Sequence, residues 1–170
     1  MLANFRRPLA GGEKGNVTLE IAVVLPLLLL ITAGIIDLGM LFWEKEVLTN
    51  ASREGARAAA RATIGGAPEK TSATAVMAIV QAYITAYGVQ NNSGDPLTLQ
   101  NGTTFFYRYD TSSPANLYVE LQNIPARMML LPNIGKLFAG TFSNTVNLDA
   151  KTTMTAEWSS PLPTATPGAY

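Results

Sequence analysis

The longest apolar stretch lies near the N-terminus, where Ile21 to Trp43 reads IAVVLPLLLLITAGIIDLGMLFW and carries one charge, Asp37. At about 1.5 Å per helical residue this run reaches roughly 35 Å, enough for a hydrocarbon core of about 30 Å. It predicts a single membrane helix. The short segment before the run carries Arg6, Arg7 and Lys14 against Glu13, with Glu20 at the run's edge, whereas the far flank opens Glu44-Lys45-Glu46. That asymmetry puts the N-terminus in the cytoplasm and the residues after Trp43 on the opposite side. A secretory signal peptide shares the plan of basic segment and apolar run. Its apolar part, however, is about 7–15 residues long and ends at small residues suited to cleavage. Here the run is longer and passes into helix-forming polar sequence.

Glu44 to Thr63 has no proline, many alanines and only Gly55 as a weak point. The pattern therefore predicts one helix over residues 16–63, roughly 70 Å long. Arg53, Arg57 and Arg61 recur every four residues and form a basic stripe; Leu48, Ala51, Gly55, Ala58 and Ala62 form a stripe of mostly small residues beside it. The basic stripe reads either as a solvated face, with Glu54 and Arg57 paired, or as a docking surface for another subunit or for anionic lipid. Small residues let another helix approach closely. Pro26, inside the run, removes a backbone donor and predicts a kink or local softening.

Ile64-Gly65-Gly66-Ala67-Pro68 ends the long helix, and Pro68-Glu69-Lys70 suits the first turn of a second. Val76, Ile79, Val80, Tyr83, Ile84 and Tyr87 then fall on one helical face, and Gly88 is its stop. Past a polar loop at Gln90–Pro96 the period changes. Residues 103–109 and 116–122 flank the turn sequence 110–115, which predicts a hairpin. Val146, Leu148, Ala150, Thr152, Met154, Ala156 and Trp158 alternate as in a half-buried strand. Residues 126–140, interrupted by Pro132 and Gly135, predict a short helix plus loop. The antiparallel sheet is expected to cover the second helix. The fold class is α+β, with a long transmembrane and stalk helix (16–63), a head at 64–160 and a disordered tail at 161–170.

Composition narrows the chemistry. The 170 residues include no cysteine and no histidine, which excludes disulfides, thiolate zinc sites, cysteine nucleophiles and imidazole bases. Twelve basic and twelve acidic residues cancel, and 14% charged residues is low against about 25% in soluble domains. Nothing in that balance points to nucleic acid. No phosphate-binding glycine loop, dinucleotide fingerprint or nucleophile elbow is present, so neither enzyme nor cofactor is expected.

The informative residues are two acids in apolar surroundings. Asp37 lies only seven residues before Glu44, so it reads as polarity near the interface, a helix-packing group or a contact to another subunit. Glu20 stands at the entrance to the membrane helix, five residues after Gly15. A charge near hydrocarbon costs about 2.5–3.5 kcal/mol on insertion scales and is normally kept for a reason. Cleavage after Gly15 would create an α-amino group at Asn16, one turn from Glu20, and the two charges would neutralise each other within one subunit or between neighbours.

The order of basic leader, Gly15, Glu20 and apolar helix resembles the type IV prepilin processing site. More narrowly, with Pro26, the Gly-x-x-Asp-x-Gly stretch holding Asp37 and Gly39, and Leu48-Thr-Asn-Ala-x-Arg-Glu-Gly-Ala-Arg57, residues 13–62 resemble the TadE-like family of pilin-like proteins in tight-adherence (Flp) pilus systems. Ile21 departs from the tyrosine usual after the glutamate in major Flp pilins, which favours a minor pilin or pseudopilin. The resemblance implies a leader at 1–15, a processing site at Gly15, Asn16 and Glu20, and subunit packing through Glu20, Pro26, Asp37, Arg53, Arg57 and Arg61. It also implies a prepilin peptidase, other pilin and pseudopilin subunits, the pilus assembly platform and the bacterial inner membrane as partners. The alternative is an unprocessed single-pass scaffold whose head binds envelope partners.

Overall fold

The computed structural model describes residues 12–61, 72–110, 114, 116–137, 140 and 142–157. Its elements in chain order are α1 (Gly12–Ala60), α2 (Ala73–Ala86), β1 (Phe105–Tyr109), β2 (Asn116–Arg127), α3 (Leu131–Leu137) and β3 (Thr145–Thr155). The expected helix break at 64–68, the helix start at Pro68, most of the turn between β1 and β2, Trp158 and the tail lie outside the described residues.

α1 runs without interruption through Pro26 and divides into two halves with opposite surroundings. From Val17 to Trp43 its large apolar side chains are exposed, Phe42 at 73% and Val23 at 69% among them. From Val47 to Ala60 the inward positions Val47, Leu48, Ala51, Ser52, Ala56 and Ala59 are buried. The sequence explains the split, because alanine, serine and glycine in the second half leave room for other elements, while most leucines and isoleucines of the first stay uncovered.

α2 takes that room. Ser72 caps it, its side chain accepting the Ala75 N–H at 3.2 Å, and Val76, Val80 and Ile84 are its buried residues. Gly88 ends the turn with φ +66°, a conformation glycine adopts without penalty. At Gly55 α1 and α2 approach closely: a Cβ placed there would lie 2.5 Å from Val80 Cγ2, 3.4 Å from Val76 Cγ1 and 3.7 Å from Val119 Cγ1 of β2. The small-residue stripe does admit a second helix, and that helix belongs to the same chain.

The sheet is antiparallel in the order β1-β2-β3. Leu117, Val119, Leu121 and Phe105 turn inward and complete the core with α1 and α2. Ser52 of α1 meets Thr152 of β3, Oγ to Oγ1, at 2.6 Å, and the Glu157 N–H closes the end of α1 by donating to the Ala60 carbonyl at 2.9 Å. Contrary to the sequence-based expectation, the sheet lies chiefly along α1 and meets α2 only at β1. The reason is the alanine-rich face of α1, which lets strands approach along a long track.

β2 extends to Arg127, five residues beyond the expected strand, and takes in Ala126. A register shift between Leu121 and Ile124 makes this possible. Asn123 there adopts φ +54° and donates its N–H to Asp149 Oδ1 at 2.7 Å. The bulge rotates the end of β2, whose last residues then lead to α3 at the level of Asp37.

Candidate functional site: the uncovered helix and its buried acid

Gly15 and Asn16 fall within the first turns of α1, which begins at Gly12 rather than at the expected residue 16. Glu20 is exposed one turn further on and borders a shallow apolar cleft with Ile21, Val24, Leu25 and Leu28. Thr18 apart, the side chains around it are apolar and open to the surroundings, Leu19 at 66% and Ile21 at 56%. Pro26 is half-buried on the same uncovered half.

Asp37 is different. It is 2% exposed, and its carboxylate accepts four hydrogen bonds from three consecutive backbone N–H groups. Met129 donates to Oδ1 at 3.2 Å, Leu130 to both oxygens at 3.1 and 3.0 Å, and Leu131 to Oδ2 at 2.6 Å. These are the donors that the start of α3 leaves unpaired, and Met129, Leu130 and Leu131 have no side-chain oxygen to satisfy them locally. An acid from more than ninety residues earlier in the chain therefore caps the helix. Ala33, at 2% exposure, and Gly34 complete the seat, with Leu131 Cδ1 3.8 Å from the position of a Cβ on Gly34. The carboxylate is thus engaged within the chain, and its capping role goes beyond the helix-packing reading of the sequence. A short helix somewhere within 126–140 was legible; its start at Leu131 and the acid that serves it were not.

The arginine stripe points away from the core. Arg53 reaches Asn50 Oδ1 at 3.4 Å, Arg57 pairs with Glu54 at 3.7 Å, and Arg61 pairs with Glu157 at 3.7 Å. All three arginines are exposed, so these pairs contribute little to stability, about 0–1 kcal/mol each.

A second buried acid escaped the sequence entirely. Glu120, in the middle of β2, bonds Lys151 Nζ of β3 at 2.7 Å, accepts from Gln122 Nε2 at 2.8 Å and lies 4.0 Å from Arg108 of β1. The hydrogen bond from Lys151 holds the Glu120 carboxyl below the usual carboxylate range, against the opposing pull of its own burial. Only cross-strand register, Glu120 opposite Lys151, brings these charges together. A depressed folded-state pKa stabilises above the unfolded value of about 4.3 and is lost as pH falls through the lower folded value. Glu120→Gln is accordingly expected to flatten the loss of thermal stability between pH 7 and pH 3, by about 1 kcal/mol or less because Lys151 is largely exposed. A pH series of melting curves for both proteins checks it; parallel series would remove the assignment.

α1 is, among the described residues, the one helix long and apolar enough to cross a membrane. Together, the uncovered first half of α1, the head built on its second half and the internal cap at Asp37 define a helix-anchored α+β head protein. Residues 15–57 match the family model of TadE-like proteins, so over that segment the chain carries the TadE-like pattern. No curated protein and no solved structure matches the chain.

Proposed function

We propose that this chain is a minor pilin or pseudopilin that acts in assembly or initiation of a tight-adherence pilus. The observation that carries the reading is that the family match at 15–57 covers the uncovered half of α1 and runs into the half on which the head is built. A helix with leucine, isoleucine and valine open on most of its circumference needs lipid or neighbouring helices around it. A subunit that moves from membrane to filament meets both in turn.

In this reading the precursor sits in the bacterial inner membrane, its N-terminus cytoplasmic and its head on the opposite side. A prepilin peptidase cuts after Gly15, which requires the first turn of α1 to open into extended backbone. The new amine at Asn16 and the Glu20 carboxylate then neutralise one another, within a subunit or across two, and fix axial position. The arginine stripe faces another pilin-like subunit or the assembly platform.

Mass spectrometry of the protein from its native host tests the processing step. An N-terminus at Asn16 is the expected result, and an intact leader would favour the unprocessed scaffold instead. Glu20→Ala is expected to be cut normally yet fail to support piliation; normal pili in that strain would end the role given to Glu20.

A further inference from the structure

The connection between β2 and β3, residues 128–144, reads MMLLPNIGKLFAGTFSN and contains one charge, Lys136. A loop of this length in water is ordinarily polar. Here Met129 is 49% exposed, Leu130 37% and Phe142 45%. Phe142 is not loose: its ring lies against Gly135, where any side chain would collide with it. The exposed apolar groups are therefore held in place by α3, and α3 is held by Asp37.

The level at which this happens is the important point. Asp37 lies six residues before Trp43, about 9 Å nearer the N-terminus along the axis of α1. On the far side of that level α1 still exposes Leu38, Met40, Phe42 and Trp43. Whatever medium covers Phe42 and Trp43 extends past Met129 and Leu130. The backbone is also prepared for a medium poor in water. The N–H groups of residues 129–131 go to Asp37, Met128 N–H to the Asn144 carbonyl, Ile134 N–H to the Leu130 carbonyl and Gly140 N–H to the Gly135 carbonyl. Internal pairing of this kind is what non-spanning backbone needs at the edge of hydrocarbon.

We propose that α3 and the described residues flanking it, 128–130, Gly140 and Phe142, form a foot embedded in the lipid bilayer, at the boundary of headgroups and acyl chains in the leaflet on the head side. Met129, Leu130 and Phe142 enter the apolar layer, and exposed Lys136 reaches the headgroups. The head is thereby seated on the membrane beside α1 at a fixed depth. This rests on the reading of α1 as a membrane span.

The absence of cysteine allows single-site labelling of the full chain. Leu29→Cys, Met129→Cys and Thr153→Cys, each carrying an environment-sensitive fluorophore, are reconstituted into phosphatidylcholine–phosphatidylglycerol vesicles. Nitroxide quenchers are placed either at mid-chain or near the headgroup end of the lipid. Leu29 is expected to respond most to the mid-chain quencher. Met129 is expected to respond to the shallow quencher at least about twofold more strongly than Thr153. Quenching at Leu29 with Met129 no different from Thr153 overturns the foot alone. No quenching at Leu29 removes the spanning helix, and the foot with it. A Met129 label shielded from both lipid nitroxide and aqueous iodide indicates a protein cover, which also overturns the proposal.

Discussion

Asp37→Ala is expected to detach α3 from α1 and to cost at least about 3 kcal/mol, because backbone N–H groups buried without an acceptor cost roughly 1–3 kcal/mol each and three lose theirs. The methyl of alanine cannot replace either oxygen. Hydrogen exchange of the full chain in detergent should show residues 129–131 losing protection, while the paired strands β2 and β3 lose far less. Asp37→Asn keeps one acceptor and turns an amide NH2 toward donors, so it should fall between alanine and the native protein. Unchanged protection at residues 129–131 in Asp37→Ala would mean that the hydrogen bonds of 2.6–3.2 Å contribute nothing to docking. The same variant has a functional reading under the foot proposal, since a released α3 no longer holds Met129 and Phe142 at membrane depth.

Gly55→Leu is expected to be as damaging for the opposite reason: it adds atoms where none fit. The first of them, Cβ, would already stand 2.5 Å from Val80 Cγ2, and Val80 is a stiff, fully buried β-branched residue that cannot rotate aside. Overpacking of this kind costs about 1–3 kcal/mol for small excesses, and a whole leucine side chain belongs at or above that limit. Gly55→Ala should be milder, because alanine returns about 1 kcal/mol of helix propensity. Adding Val80→Ala to Gly55→Ala is expected to recover part of the loss relative to the sum of the single changes, a coupling that a thermal-denaturation cycle measures directly. Additive effects would place the close approach of α1 and α2 elsewhere.

Both residues were visible in the sequence, and their partners were not. Gly55 stood out as a weak point in an alanine-rich helix, and the small residues around it implied close approach by some helix. That the helix is α2 follows from the chain folding back, with Val76 and Val80 landing over the glycine. Asp37 stood out as an acid in an apolar run. Local pattern carries no information on residues 129–131, because the pairing spans more than ninety positions and depends on where the β2 bulge aims the chain. Glu120 gave no signal at all, since a glutamate in an alternating strand is ordinary until register sets Lys151 opposite it.

What the sequence determined by itself was the part governed by local periodicity and by sheer quantity of apolar surface. The long helix with its uncovered apolar half, the second helix with its glycine stop, the antiparallel strands and the TadE-like segment all follow from neighbouring residues. The tertiary structure alone decided which face of α1 the sheet covers, which acid caps α3, and that an apolar connection lies beside the anchor rather than in the head's core. Those outcomes depend on contacts between residues far apart in the chain, where small differences in strand length and register decide which polar groups meet, and no periodicity records them.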